Sequence, residues 1–284
     1  MKTEIDWRVV RHARLFVPLM ALATLPAALL AQWPDYPSGK VPRGPDGKPN
    51  LTAPVPKAAD GHPDLSGIWE RDVPGIPLSG QPNAFGDPFR PIGAPFTNIG
   101  VLIKGGLPYT PWAEALRKSR MAENQKDNPD AHCLPLGLMQ LHTHPQPRKI
   151  VQTPGLTAIV YEAQAGLRQI FTDGRPLPKD PLPWWYGYSI GRWDGDTLVV
   201  DTTGFRDDVW LDVQGSPLTG TGKMTERFRR IDYGHLEIEI TVEDPKSYTK
   251  PWTVKLNQKI MPDTELIEFI CNENEKDAVR LTGK

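Results

Sequence analysis

A chain of 284 residues with 39% hydrophobic and 24% charged side chains can bury a sizeable core, which excludes wholesale disorder. Thirty-three Lys and Arg against 34 Asp and Glu leave a net charge of -1, excluding the basic footprint of a nucleic-acid binder. Thirty-one prolines, about twice the usual share, exclude an all-helical bundle, because an interior proline costs ~3 kcal/mol in a helix.

The chain opens with Arg8, Arg11, His12 and Arg14, followed by an apolar run from Leu15 to Leu30 and the small residue Ala31 before Gln32. That order predicts a secretory signal peptide over 1–31. The run is short for a ~20-residue span and contains Pro18 and Pro26, so no membrane span is expected after cleavage. The mature chain is then periplasmic or secreted, with 29 basic and 32 acidic side chains. Its two cysteines, Cys133 and Cys271, are expected to form one disulfide in an oxidising compartment. Two buried free thiols are the alternative.

Residues 32–62 read as a Pro-rich extended arm, and 63–284 as a single β-rich domain with a loop and helix insertion at about 72–147. One helix is well signalled there: Thr110 can cap it, Pro111 suits its first position, and good helix formers continue to about Asn124. From residue 148 the period becomes two. Leu236, Ile238, Ile240 and Val242 share one face of a strand, and Trp252, Val254, Leu256 and Ile260 repeat the pattern. Asp194-Gly195 marks a hairpin turn. Strands are predicted near 66–71, 148–153, 156–162, 167–173, 187–193, 197–203, 223–231, 235–243, 251–260 and 265–272. The fold class is mainly β: an antiparallel up-and-down barrel or strongly curved sheet with one α-helix and a Pro-rich N-terminal arm. A β-sandwich is the alternative.

Gly67-Ile68-Trp69, opening the first strand, is similar to the Gly-x-Trp start of lipocalins and related calycin barrels. The segment from Tyr188 to Phe205 (YSIGRWDGDTLVVDTTGF), with Thr225–Arg229, Asp244–Trp252 and Cys271–Asn274, resembles a broad group of exported bacterial proteins. That group carries no assigned activity, so the resemblance transfers no site residue.

Four patterns could carry chemistry. His142 and His144 would share a face on a strand, where two imidazoles can meet one metal ion, with Asp201, Asp208, Glu226 or His235 as the third ligand the fold would have to supply. Asp201 ends the apolar strand Leu198-Val199-Val200, and His235 starts another; a desolvated carboxylate with a histidine suits acid–base work. Asp207, Asp208 and Asp212 cluster as oxygen ligands for Ca²⁺ would. Trp184, Trp185, Tyr186 and Tyr188, with Trp193 and Trp210, place six large rings within 27 residues, a surface for stacking an aromatic or apolar ligand. Adjacent on a strand, Trp184 and Trp185 would face opposite sides, and Arg227 is a further candidate lining residue. No nucleophile elbow, phosphate loop or dinucleotide fingerprint is present, and the sequence names no cofactor.

The leading expectation is an exported β-barrel that binds a small apolar or aromatic molecule. An isomerase, lyase or hydrolase using Asp201 and His235 on the same barrel, and an envelope interaction module, are the alternatives.

Overall fold

The computed structural model describes residue 36 and residues 40–72, 94–271 and 273; the predicted signal peptide lies outside them. The chain divides into two units, 1–34 and 35–284, and all described residues belong to the second.

Among the described residues eleven strands form in chain order: β1 (Gly67–Asp72), β2 (Arg148–Thr153), β3 (Leu156–Tyr161), β4 (Leu167–Phe171), β5 (Tyr188–Asp194), β6 (Thr197–Thr203), β7 (Val209–Trp210), β8 (Pro217–Leu218), β9 (Lys223–Arg230), β10 (His235–Glu243) and β11 (Trp252–Ile260). Nine of them close into a barrel in the order β1-β11-β10-β9-β6-β5-β4-β3-β2, while β7 and β8 form a separate two-stranded ribbon. Strand directions cannot alternate all the way round a ring of odd number, so at least one parallel junction is unavoidable. It falls between β4 and β5, which pair only at Ile170↔Ser189 and Phe171↔Ile190. The other eight junctions are antiparallel. The expected barrel is therefore present and closed, with this one seam.

The predicted strand at 265–272 does not form; residues 265–270 run without regular structure. Its partner edge is taken, because β11 already has β10 on one side and β1 on the other. The segment is instead tied by the Lys149–Glu265 ion pair at 2.6 Å, the Ile267 amide on Glu162 at 3.1 Å, and the Cys133–Cys271 disulfide. The expected disulfide is thus formed.

Inward positions follow the period of two. Ile150, Ile159, Ile170, Leu198, Val200, Phe228, Ile238, Val254 and Trp69 fill the lumen as one cluster. The Pro-rich arm is more structured than its composition suggests. It makes two small bridges, Arg43↔Pro49 and Lys57↔Pro63, and its Leu51 and Ala53 carbonyls accept the Gly234 and Tyr233 amides at the β9–β10 corner. Proline density prevents repeating structure, but not the use of single backbone groups as caps.

Among the described residues of the insertion lie three short α-helices: α1 (Ala94–Thr97), α2 (Pro111–Ala122) and α3 (Leu138–Thr143). The predicted helix is α2. Thr110 Oγ1 accepts from the Ala113 amide and Pro111 opens the first turn, as the capping residues require.

Candidate functional site

The barrel mouth where β2 begins and β1 and β3 end is lined by polar groups, whereas the middle of the lumen is apolar. The six residues of α3 are all buried at this mouth. The helix needs Gly137 just before it, since a Cβ there would lie 2.4 Å from the Trp210 carbonyl of β7. Gln140 fastens the helix to the same carbonyl at 2.9 Å, and Pro145 stops its continuation.

α3 inserts His142 among charged groups that the strands aim inward. His142 Nε2 lies 2.7 Å from Glu226 Oε1 on β9. Arg168 on β4 donates to both Glu226 oxygens, and also to Ser189 of β5 and Thr202 of β6. Both members of the Arg168–Glu226 pair are essentially inaccessible. Burial alone would raise the Glu226 pKa, but Arg168 and His142 outweigh it and hold the carboxyl well below its usual range. Burial pushes His142 below the ordinary histidine value, with Glu226 opposing. The anion partner assigns the proton to Nε2, which leaves Nδ1 of this neutral ring as a lone-pair acceptor; it has no partner.

A second group of cations stands beside this network. Arg148 is 1% exposed, and its Nη1 donates to the His142 carbonyl at 3.0 Å. Gln258 Nε2 donates to the same oxygen at 3.1 Å. The Arg148 Nε and Nη2 atoms, and the Arg71 Nε and Nη1 atoms, are buried without hydrogen-bond partners. Such unmet donors cost ~1–3 kcal/mol each, so their concentration at one mouth is not a neutral packing outcome. Burial brings the Arg148 pKa down to about 10. Burial, then Arg148 and Arg71, bring His144 down to about 4.

A cleft of about 170 Å³ opens between α3, β1 and β11. Arg71, His142 and Thr143 form its polar wall, Pro95, Leu102 and Leu256 its apolar wall, and Asp72, Lys255 and Asn257 complete its lining. The volume matches a single aromatic ring, since an engineered cavity of ~150 Å³ holds benzene.

The residues singled out from sequence are dispersed. His142 and His144 are on and just after a helix, not on a strand, and do not share one site: His144 meets the edge of Phe96 while His142 faces Glu226. No group of three or more His, Cys, Asp or Glu suited to a metal occurs among the described residues. Asp201 and His235 are not brought together. In the β9-bridged register Asp201 stands level with Thr225 and thus Thr241, six positions along β10 from His235. Asp201 binds Arg192 at 2.7 Å and Thr225 at 2.8 Å, and His235 binds Asp232 at 2.7 Å. Burial raises the Asp201 pKa, but Thr225 and Arg192 outweigh it and the net shift is downward, the opposite of what an acid–base role expects.

The acidic run is used up by its own loop. Asp207 accepts the Gly220 amide, Asp208 pairs with Arg206, and buried Asp212 accepts from Ser216 and Ile99. Of Trp184, Trp185, Tyr186 and Tyr188 only Tyr188 lies in a strand, with Trp193 further along β5 and Trp210 in β7. Trp184 is 45% exposed, Trp185 is covered by Arg206 at 4.6 Å, and Tyr186 leans on Tyr161. Tyr188 stacks on Phe171 at 5.3 Å, and Arg227 faces outward to Asp194. None of these five lines the cleft below α3.

Arg71, Arg148 and Arg168 were not singled out from sequence, and Glu226 only as a possible third metal ligand, although a signal exists for all four. Each falls on the inward parity of its strand: Glu226 between Met224 and Phe228, Arg168 before Ile170, Arg148 before Ile150, Arg71 after Trp69. A charge on the apolar phase of an alternating strand is the mark of a buried polar site.

No protein family matches the chain, and no curated protein or solved structure matches it.

Proposed function

We propose that this β-barrel binds a small molecule with an apolar body in the cleft beneath α3. The observation that carries the reading is the cleft itself: ring-sized, apolar on one wall, and lined on the other by His142, whose buried Nδ1 has no partner. The lumen is occupied by side chains, so the ligand sits at the mouth rather than in a deep calyx. Trp69 of the Gly-x-Trp start is wholly buried with Arg230 over its ring at 4.9 Å, which supports kinship with lipocalin-like barrels. The predicted signal peptide and the disulfide support export to the periplasm or beyond. Among the described residues no helix is long and apolar enough to cross a membrane.

A second reading rests on the His142–Glu226 geometry. A neutral imidazole oriented by a carboxylate, lining a cleft and with its other nitrogen unpartnered, has the layout of a general base. An isomerase, lyase or hydrolase would then use His142, not Asp201 and His235.

Ligand-observed NMR with a panel of single-ring aromatic molecules tests the binding reading. Leu102 is 42% exposed, so Leu102→Trp covers the cleft without disturbing the core. Signals from bound ring protons should appear with the native protein and be lost in Leu102→Trp. Equal signals from both proteins, or none from either, would overturn the assignment.

A further inference from the structure

We propose that Arg71 and Arg148 receive a carboxylate carried by the ligand, so that the barrel selects small aromatic or aliphatic acids. The inference rests on the binding reading above and adds the charge of the ligand. The register places the two arginines together. Trp69 pairs with Arg148 across the β1–β2 junction, and Arg71 lies two residues further along β1 on the same inward face. They are diagonal neighbours, within reach of one group held between two long side chains.

Their donors are arranged for an oxyanion. Arg148 spends Nη1 on the His142 carbonyl, which fixes the guanidinium and leaves the Nε–Nη2 edge without a partner. That edge presents two parallel N–H bonds, the fork that matches a carboxylate. Arg71 adds unpartnered Nε and Nη1 and itself lines the cleft, with Arg148, outside that lining, as its diagonal neighbour. Arg148 is nine-tenths buried or more, so water does not discharge this requirement cheaply.

The protein's own carboxylates do not fill the position. Glu226 is committed to Arg168 and His142. Asp72 lines the cleft and Glu70 acts on both arginines through space, but neither makes a hydrogen bond or ion pair to them. Among the described residues no carboxylate is hydrogen-bonded or ion-paired to Arg71 or Arg148. The apolar wall of Pro95, Leu102 and Leu256 then takes the body of the acid while the arginines take its head.

The experiment is calorimetric titration of the exported chain with benzoate and with its neutral isostere benzamide, in native protein, Arg71→Gln and Arg148→Lys. Benzoate should bind at least tenfold more tightly than benzamide. Arg71→Gln, at a partly exposed position, should erase most of that preference. Arg148→Lys keeps the buried charge but removes the fork, and should also weaken benzoate selectively. Equal affinity for benzoate and benzamide would overturn the acid inference while leaving a neutral-ligand site. Benzoate binding unchanged in both variants would also overturn it. No heat from either compound would remove both readings together.

Discussion

Glu226 offers the sharpest test of the barrel's interior. Among the described residues it is the sole carboxylate bonded to Arg168, and it accepts three contacts there: Arg168 Nη1 at 3.0 Å, Arg168 Nη2, and His142 Nε2 at 2.7 Å. Glu226→Gln preserves the volume but removes the negative charge, so Arg168 remains ionised and uncompensated at about 1% exposure. Breaking one side of a buried pair costs ~3–5 kcal/mol. For a unit of this size each kcal/mol moves the melting midpoint by ~2–4 °C, giving a fall of roughly 6–20 °C. Thermal unfolding by circular dichroism, with urea titration for the free energy, would measure it. Replacing both partners, Glu226→Leu with Arg168→Met, should recover much of the loss, because desolvation of both charges is then relieved. A single variant within about 1 kcal/mol of native would refute the reasoning, since it would mean Arg168 draws its compensation elsewhere.

Two further outcomes concern the disulfide and pH. Cys133→Ser with Cys271→Ser opens a loop spanning 138 residues and should lower stability by about 4–5 kcal/mol in the chain-entropy model; an unchanged urea midpoint would argue that the bond constrains little. His144 titrates at about 4 in the folded chain but near its ordinary 6.5 when unfolded. The unfolded state therefore binds the extra proton, and stability falls as pH drops from 6.5 to 4, by at most about 3 kcal/mol from this residue. His142 acts in the same direction, and protonation of Glu226 extends the loss below its ordinary 4.5. A urea midpoint that stays flat between pH 7 and 4.5 would contradict this, and His144→Gln should flatten the slope.

Strands were the most legible part of the chain. β2, β6 and β10 coincide with the predicted limits because clean alternation and tight turns such as Asp194-Gly195 act within a few residues. The parallel β4–β5 seam was not legible, since it follows from counting strands around a closed ring, which no local pattern encodes. The site was least legible. His142 and His144 drew attention as metal-ligating types, but their spacing has a strand meaning only on a strand, and tertiary packing made a buried helix there. The aromatic run near Trp184 was conspicuous by composition, whereas Arg148, Arg168 and Glu226 were conspicuous only by phase.

The closing strand has a consequence for how the chain reaches this state. From β2 to β11, ring neighbours are also chain neighbours, apart from the β7–β8 excursion, so eight staves can assemble through short-range pairing. β1 reaches β2 only across the long 73–147 segment, and its Trp69 meets Ile260 only after β11 exists. Until β1 seats, the eight-strand sheet has bare edges at β2 and β11. That vacant slot fits β1 of any copy of the chain, so crowding at this stage favours exchanged dimers over closed monomers.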